Sequence, residues 1–252
     1  MNKRFSGKVA LVTGGSSGIG RAAALLFASE GASVAVVARR STEGEQTVQC
    51  IWDSGGTGIF IQADVASAKD CRAMVEETER AFGGLDIAFN NAGIGSSGKF
   101  IAEESEEAWD KVLAINLKGV FLSMKYQIPA LLRRGGGAIV NNSSVGGVVA
   151  APGMAAYQAS KHGLLGLTKA AALENATKGI RVNAICPGAT RSEMLERWFA
   201  DPAVAVRVMG AIPMKRVAEP EEVARVALFL ASTDASFITG HALAVEGGAL
   251  AQ

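Results

Sequence analysis

A tyrosine and a lysine stand four residues apart at Tyr157 and Lys161, and Ser144 lies 13 positions before the tyrosine. A phenol with a pKa near ~10 is poorly suited to exchange a proton at neutral pH. Residues four apart share a helix face, so the Lys161 ammonium can stand beside Tyr157 and favour phenolate. Ser144 could hydrogen-bond an oxygen atom and fix its geometry. Such a set suits proton exchange on a carbonyl or hydroxyl oxygen. Taken alone, the Tyr157 and Lys161 pair is also what a packed amphipathic helix shows, and Ser143 and Ser144 could be turn residues at a strand end. His162 adjoins Lys161 without an acidic partner in a recognisable position and reads as helix surface or an interface residue; His241 reads as structural. Cys50, Cys71 and Cys186 lie far apart, without His or Cys at metal spacing, and read as reduced structural thiols; no metal site is expected.

A second chemical feature is the turn Thr13-Gly14-Gly15-Ser16-Ser17-Gly18-Ile19-Gly20, which follows an apolar run and opens an Ala-rich helix. Glycines allow close backbone approach to a pyrophosphate, and the first N–H groups of a helix bind negative charge. The spacing, Gly14-x-x-x-Gly18-x-Gly20, departs from the common G-x-G-x-x-G dinucleotide fingerprint. A tight turn without a ligand is the plain alternative. Position favours the ligand, because doubly wound sheets bind ligands at the carboxyl ends of their strands.

The elements that must hold these residues alternate along the chain. Strands are predicted at 9–13, 33–38, 58–63, 87–90, 137–142, 181–185 and 242–245, and helices at 18–30, 43–54, 68–82, 105–133, 156–177 and 220–232. Short β-branched runs alternating with helical segments predict an α/β fold, a doubly wound parallel sheet of about seven strands with helices on both faces. The unbroken alternation implies a single domain over 1–252, with one insertion at about 187–219. Leu195, Trp198, Phe199, Val206 and Met209 in that insertion could line a pocket or merely pack a helical lobe on the sheet.

Of 252 residues, 49% are apolar and 19% charged, which fits a globule with many buried strands. A net charge of +1 supplies no basic field for a phosphate backbone, so nucleic acid is not an expected partner. No apolar stretch approaches the roughly 18 residues of a membrane span, and the N-terminus does not read as a signal peptide. A cytoplasmic protein with no membrane partner is expected.

Together these motifs resemble the short-chain dehydrogenase/reductase family, in its subgroup of about 250-residue, Rossmann-type members, and the likeness runs the length of the chain. The turn from Thr13 to Gly20 resembles that family's T-G-x-x-x-G-x-G, and Tyr157-x-x-x-Lys161 its signature. The resemblance implies catalytic roles for Asn116, Ser144, Tyr157 and Lys161, with Asn116 bending its helix and binding a relay water, and Lys161 also holding the nicotinamide ribose. It implies adenine contacts at Asp64 and Val65, a supporting stretch at Asn91, Ala92 and Gly93, and a nicotinamide contact at Pro187, Gly188 and Thr190. With Gly14, Ser16, Ser17, Gly18, Ile19 and Gly20, these would form the cofactor site. Ser144, Val145, Met154, Tyr157, Gly188 and Trp198 would form a mostly apolar substrate site for a ketone or secondary alcohol.

The second predicted strand ends Val36-Val37-Ala38-Arg39-Arg40, with no carboxylate at position 38 to receive the 2′-hydroxyl of NAD. Arg39 could bind a 2′-phosphate, with a hydroxyl added by Ser16, so NADP(H) is the expected cofactor and NAD(H) the alternative. Against this, Ser17 stands where many NADP-preferring relatives supply a second basic residue, and Arg39 and Arg40 could simply be solvated. A catalytically idle, cofactor-binding regulator is the rival reading of the whole chain; the complete Ser, Tyr and Lys set argues against it. The resemblance further implies a homotetramer. Ala159, Gly163, Gly166, Ala170 and Ala171 could admit a partner helix or serve packing on the chain's own sheet.

Overall fold

A computed structural model describes residues 3–251, the side chains of 194 and 197 apart. Seven strands form one parallel sheet: β1 (Val9–Thr13), β2 (Ser33–Ala38), β3 (Thr57–Gln62), β4 (Ile87–Asn90), β5 (Gly137–Asn142), β6 (Ile180–Pro187) and β7 (Ala242–Val245). Their spatial order is β3-β2-β1-β4-β5-β6-β7, so the chain reverses its direction of progress between β1 and β4. Ligands of such sheets lie at that switch point, outside the strand carboxyl ends.

Strand alternation sorts the core into two layers. In β1, Ala10 and Val12 face one layer and Leu11 the other. The first layer is covered by α1 (Gly18–Ser29), α2 (Ser41–Asp53) and α9 (Pro220–Ala231). The second is covered by α3 (Ala68–Phe82), α5 (Gly119–Arg133) and α6 (Ala155–Asn175). Local signals set the ends: Ser67 accepts a hydrogen bond from the Asp70 N–H to start α3, and Gly83, at φ +79°, ends it. Pro220 opens α9 inside a reciprocal capping box of Glu219 and Glu222.

The predicted helix over 105–133 is not uniform. It consists of α4 (Glu106–Leu113), a π-helical turn over Ala114–Lys118, and then α5. The turn contains Asn116, whose amide is engaged by another segment, and such bulges mark places where a side chain leaves the regular ladder for a tertiary partner. β6 is longer than predicted, because it is paired on both sides: Ile185 aligns with Asn142 of β5 and Pro187 with Val245 of β7. The insertion after β6 carries two helices, α7 (Glu193–Phe199) and α8 (Pro202–Gly210). No helix among the described residues is long and apolar enough to cross a membrane.

Candidate active site

The site is built where β1, β4, β5 and β6 end. At the tip of β1 the buried Thr13 hydroxyl accepts from the Asn91 and Ala92 N–H groups at 3.0 and 3.1 Å. Asn91 Nδ2 donates back to the carbonyls of Thr13 and Gly14 at 3.1 and 3.3 Å. These bonds tie the loop after β4 to the glycine turn across the switch point.

The turn needs its glycines. Gly14 has φ +67° and Gly18 φ +51°, and a Cβ on Gly20 would collide with the Gly14 carbonyl oxygen and with Asn91 Nδ2. Ser16 is buried, while Ile19 packs partly buried against the core. Ser17 is the N-cap of α1, yet its hydroxyl makes no cap hydrogen bond. It accepts instead from Arg40 Nη2 at 3.0 Å. The first N–H groups of α1 therefore keep their capacity for an anion.

Around the end of β2 the structure separates the two arginines. Arg39 is exposed and lies 3.8 Å from Asp64, which caps the loop after β3 by accepting from the Ala66 N–H. Arg40 lies on the glycine turn. Its guanidinium meets Ser17 at 3.0 Å, Ser16 at 3.5 Å, Glu43 at 3.1 Å and Glu193 of α7 at 3.2 Å. Val65 is buried against Gly119 at the start of α5.

The residues expected to exchange the proton converge beyond the end of β5. Lys161 is buried, donates through Nζ to the Asn142 carbonyl at 2.7 Å, and stands 5.6 Å from the Tyr157 ring centroid. Ser144 Oγ and the Tyr157 ring both line Gly146, and the Ser144 hydroxyl accepts from the Gly146 N–H at 3.0 Å. Asn116 is fully buried: Oδ1 accepts from the Ile94 N–H and Nδ2 donates to the Ile94 carbonyl, each at 2.9 Å, with Ser160 at 3.3 Å. A Cβ on Gly93 would stand 3.2 Å from Asn116 Oδ1 and 3.8 Å from Lys161 Nζ, so a bare backbone passes between them.

Burial dominates the electrostatics. It pushes the Tyr157 phenol above its ordinary value, against a downward pull from the Ser144 hydrogen bond. Burial also lowers Lys161 to about 8. The expectation that the Lys161 charge sets the phenol's acidity thus meets a larger, opposing effect, desolvation of the phenolate. Cys186, buried beside this pair, is raised by burial, while the Ser144 N–H, the Ser143 hydroxyl and the Lys161 charge pull it down.

The remaining expected residues frame the cleft. Pro187 ends β6; Gly188 donates to the Val245 carbonyl at 3.0 Å and its Cα face abuts Glu246; Thr190 is buried and donates to the Gly188 carbonyl at 3.1 Å. Val145 lies in a single 3₁₀ turn after Ser144, and the half-buried Met154 caps α6. Trp198 lies half-buried on α7, and among the described residues no hydrogen bond joins it to Tyr157, Lys161 or Ser144. Sequence reasoning missed Arg40, Glu193, Asn142 and the location of Cys186. The double arginine was a signal for Arg40; a strand asparagine and a helix glutamate carry none.

These features fit a dinucleotide: an uncapped helix start behind a turn with no room for a Cβ at Gly14, Gly15 or Gly20, and a buried acceptor, Asn142 Oδ1, without a partner among the described residues. They also match known proteins. The family model described as enoyl-(acyl carrier protein) reductase matches residues 14–249. A cyclohexanol dehydrogenase of Acinetobacter sp. is 43% identical over 98% of this chain and 96% of its own. Among solved structures, an NAD+-bound xylitol dehydrogenase superposes with a TM-score of 0.94 at 35% identity, covering 98% of this chain and 100% of its own. An NADP-bound chain from Agrobacterium tumefaciens, provisionally assigned as a 2-deoxy-d-gluconate 3-dehydrogenase, superposes with a TM-score of 0.91 at 36% identity, covering 100% and 99%.

Proposed function

The chain belongs to the short-chain dehydrogenase/reductase family and is a nicotinamide-dependent oxidoreductase of alcohols and ketones, and on that premise we propose that it works with NADP(H) on a medium-sized, mostly apolar substrate. The observation that carries the reading is the convergence of the Ser144 hydroxyl and the Lys161 ammonium on Tyr157. In the reducing direction Tyr157 gives its proton to the substrate oxygen, Ser144 holds that oxygen, and Lys161 steadies the negative charge left on the phenol. The cofactor, when bound, supplies the hydride. Gly14, Ser17, Gly18 and Gly20 would admit its pyrophosphate, Lys161 its nicotinamide ribose, and Pro187, Gly188 and Thr190 its carboxamide. Asn116 acts as a positioning residue, clamping Ile94 and Ser160 around the pair.

NADP(H) is supported by two guanidinium groups, Arg39 and Arg40, at the end of β2, and by Ala38 where a carboxylate would repel a 2′-phosphate. NAD(H) is the second reading, because Glu43, Asp64 and Glu193 already pair with those arginines. For the substrate, the cyclohexanol dehydrogenase relative and the apolar residues near Ser144 and α7 support a cyclic ketone or secondary alcohol. The test is a panel of cyclic and open-chain ketones and alcohols with both cofactors, read at 340 nm. A wild type at least about tenfold better in kcat/KM with NADPH on a ring ketone supports the assignment. Preference for NADH, with Ala38→Asp plus Arg39→Ile changing nothing, rejects the 2′-phosphate pocket.

The same reading includes a homotetramer in the cytoplasm. Its support is the three free thiols and an exposed face on α5 and α6, where Ala159, Gly166 and Ala170 point outward while Ala171 is buried on the chain's own core.

A further inference from the structure

Asn142 has its amide orientation dictated from outside. The Thr13 and Gly14 carbonyls can only accept, so Asn91 must offer them Nδ2, which leaves Asn91 Oδ1 as an acceptor. Asn142 must then donate Nδ2 to that oxygen, which it does at 2.8 Å. Its own Oδ1 is the free end of the chain of bonds, and this oxygen is buried with no hydrogen-bond partner among the described residues. The main-chain carbonyl of the same residue takes Lys161 Nζ at 2.7 Å.

The neighbouring asparagines show that this is particular to one face. Asn90 aligns with Asn141 across β4 and β5, and their amides join in the core, with Thr168 completing Asn141 at 3.0 Å. Asn142, one residue on, turns to the opposite face, toward Asn91. A buried acceptor without a donor is costly, and natural proteins satisfy such groups with a ligand or water. Because the bonds from β1 fix its polarity, a partner must be a donor. Phosphate and carbonyl oxygens are excluded.

We propose that Asn142 Oδ1 accepts a hydrogen bond from a hydroxyl of the nicotinamide-side ribose, which makes Asn142 a cofactor-binding residue alongside Lys161. This rests on the dinucleotide reading above. The ribose is chosen over the carboxamide because Lys161, the residue assigned to that ribose, is bonded to Asn142 itself.

The test measures binding of the full chain to NADPH and NADH by fluorescence, and to the adenine half alone, as 2′,5′-ADP and ADP, by calorimetry. Asn142→Leu removes the acceptor at similar volume, and Asn142→Ser makes the same comparison should the leucine variant not fold. Whole cofactors should bind about three- to tenfold more weakly to either variant, the size of one neutral hydrogen bond, while the adenine-half ligands keep their affinity. Equal losses for whole and half ligands mean general damage and overturn the inference, as does unchanged binding of all four. A wild type that binds the adenine halves but neither whole cofactor overturns the dinucleotide reading itself, and the inference with it.

Discussion

At the scale of single residues, the site couples a phenol raised by burial to an ammonium lowered by it. If Tyr157 is the proton donor, Tyr157→Phe keeps the ring that packs against Gly146 and removes the exchangeable proton. kcat should fall by about 100-fold or more, with the NADPH Kd within about twofold of wild type. Retention of a tenth of the wild-type kcat would remove the tyrosine from its role. Lys161 makes a pH prediction whose sign follows from its value of about 8. Below that pH the side chain is a cation beside the expected cofactor site; above it the charge is lost, so affinity for an anionic dinucleotide falls as pH rises through about 8. Binding in this range takes up a proton. Titrations from about pH 6.5 to 9.5 should show the fall in wild type and not in Lys161→Ala, whose affinity is low throughout.

At the scale of elements, the contact between α1 and the turn before it is decided by one hydrogen atom. Gly20→Ala places a methyl against the Gly14 carbonyl and Asn91, where both neighbours are held by further hydrogen bonds and cannot give way. We expect a loss of melting temperature together with a tenfold or greater weakening of cofactor binding, whereas Gly166→Ala, with nothing within 4 Å of the added carbon, leaves binding unchanged and is neutral or stabilising by up to about 1 kcal/mol. Equal melting and binding for the two variants would contradict this account of the turn. What was legible in the sequence was legible for the same local reasons. Val9–Thr13, Ser33–Ala38 and Ile87–Asn90 are apolar, β-branched or aromatic runs buried on both faces, and their limits were predicted to the residue. The π-helical turn was not read from the pattern, which gave one helix over 105–133; only the family resemblance implied a bend at Asn116, since the turn depends on Asn116 bonding to Ile94, 22 residues earlier, and no local periodicity encodes that. Arg40 was passed over for Arg39 because side-chain direction at a strand end depends on α7, whose Glu193 lies 153 positions away. Asn142 looked like an ordinary strand residue; only the chain of bonds from Thr13 and Gly14 reveals its unsatisfied oxygen.

At the scale of the whole molecule, the site leans against a surface that one chain leaves open. Tyr157 and Lys161 lie on α6, and the outward side of α6 and the adjoining α4 and α5 expose Trp109, Phe121 at 47% and Leu173 at 82%. Around them Ala159, Gly166 and Ala170 keep the helix surface low, and Gly163 already admits Leu117 from the π-helical turn. Large apolar side chains beside a low helix face suit a second, symmetry-related copy of the same helices, and closed symmetric assembly is the common outcome for such surfaces. A homotetramer predicts a sedimentation-equilibrium mass about four times the chain's 26.0 kDa at micromolar concentration. Gly166→Arg should lower that mass, because a long charged side chain there has room on the single chain but not under a partner helix; the dependence of melting on protein concentration that an assembly confers is then reduced. A wild type that sediments as a single 26.0 kDa species rejects the assembly, and a Gly166→Arg variant with undiminished mass moves the interface off α6.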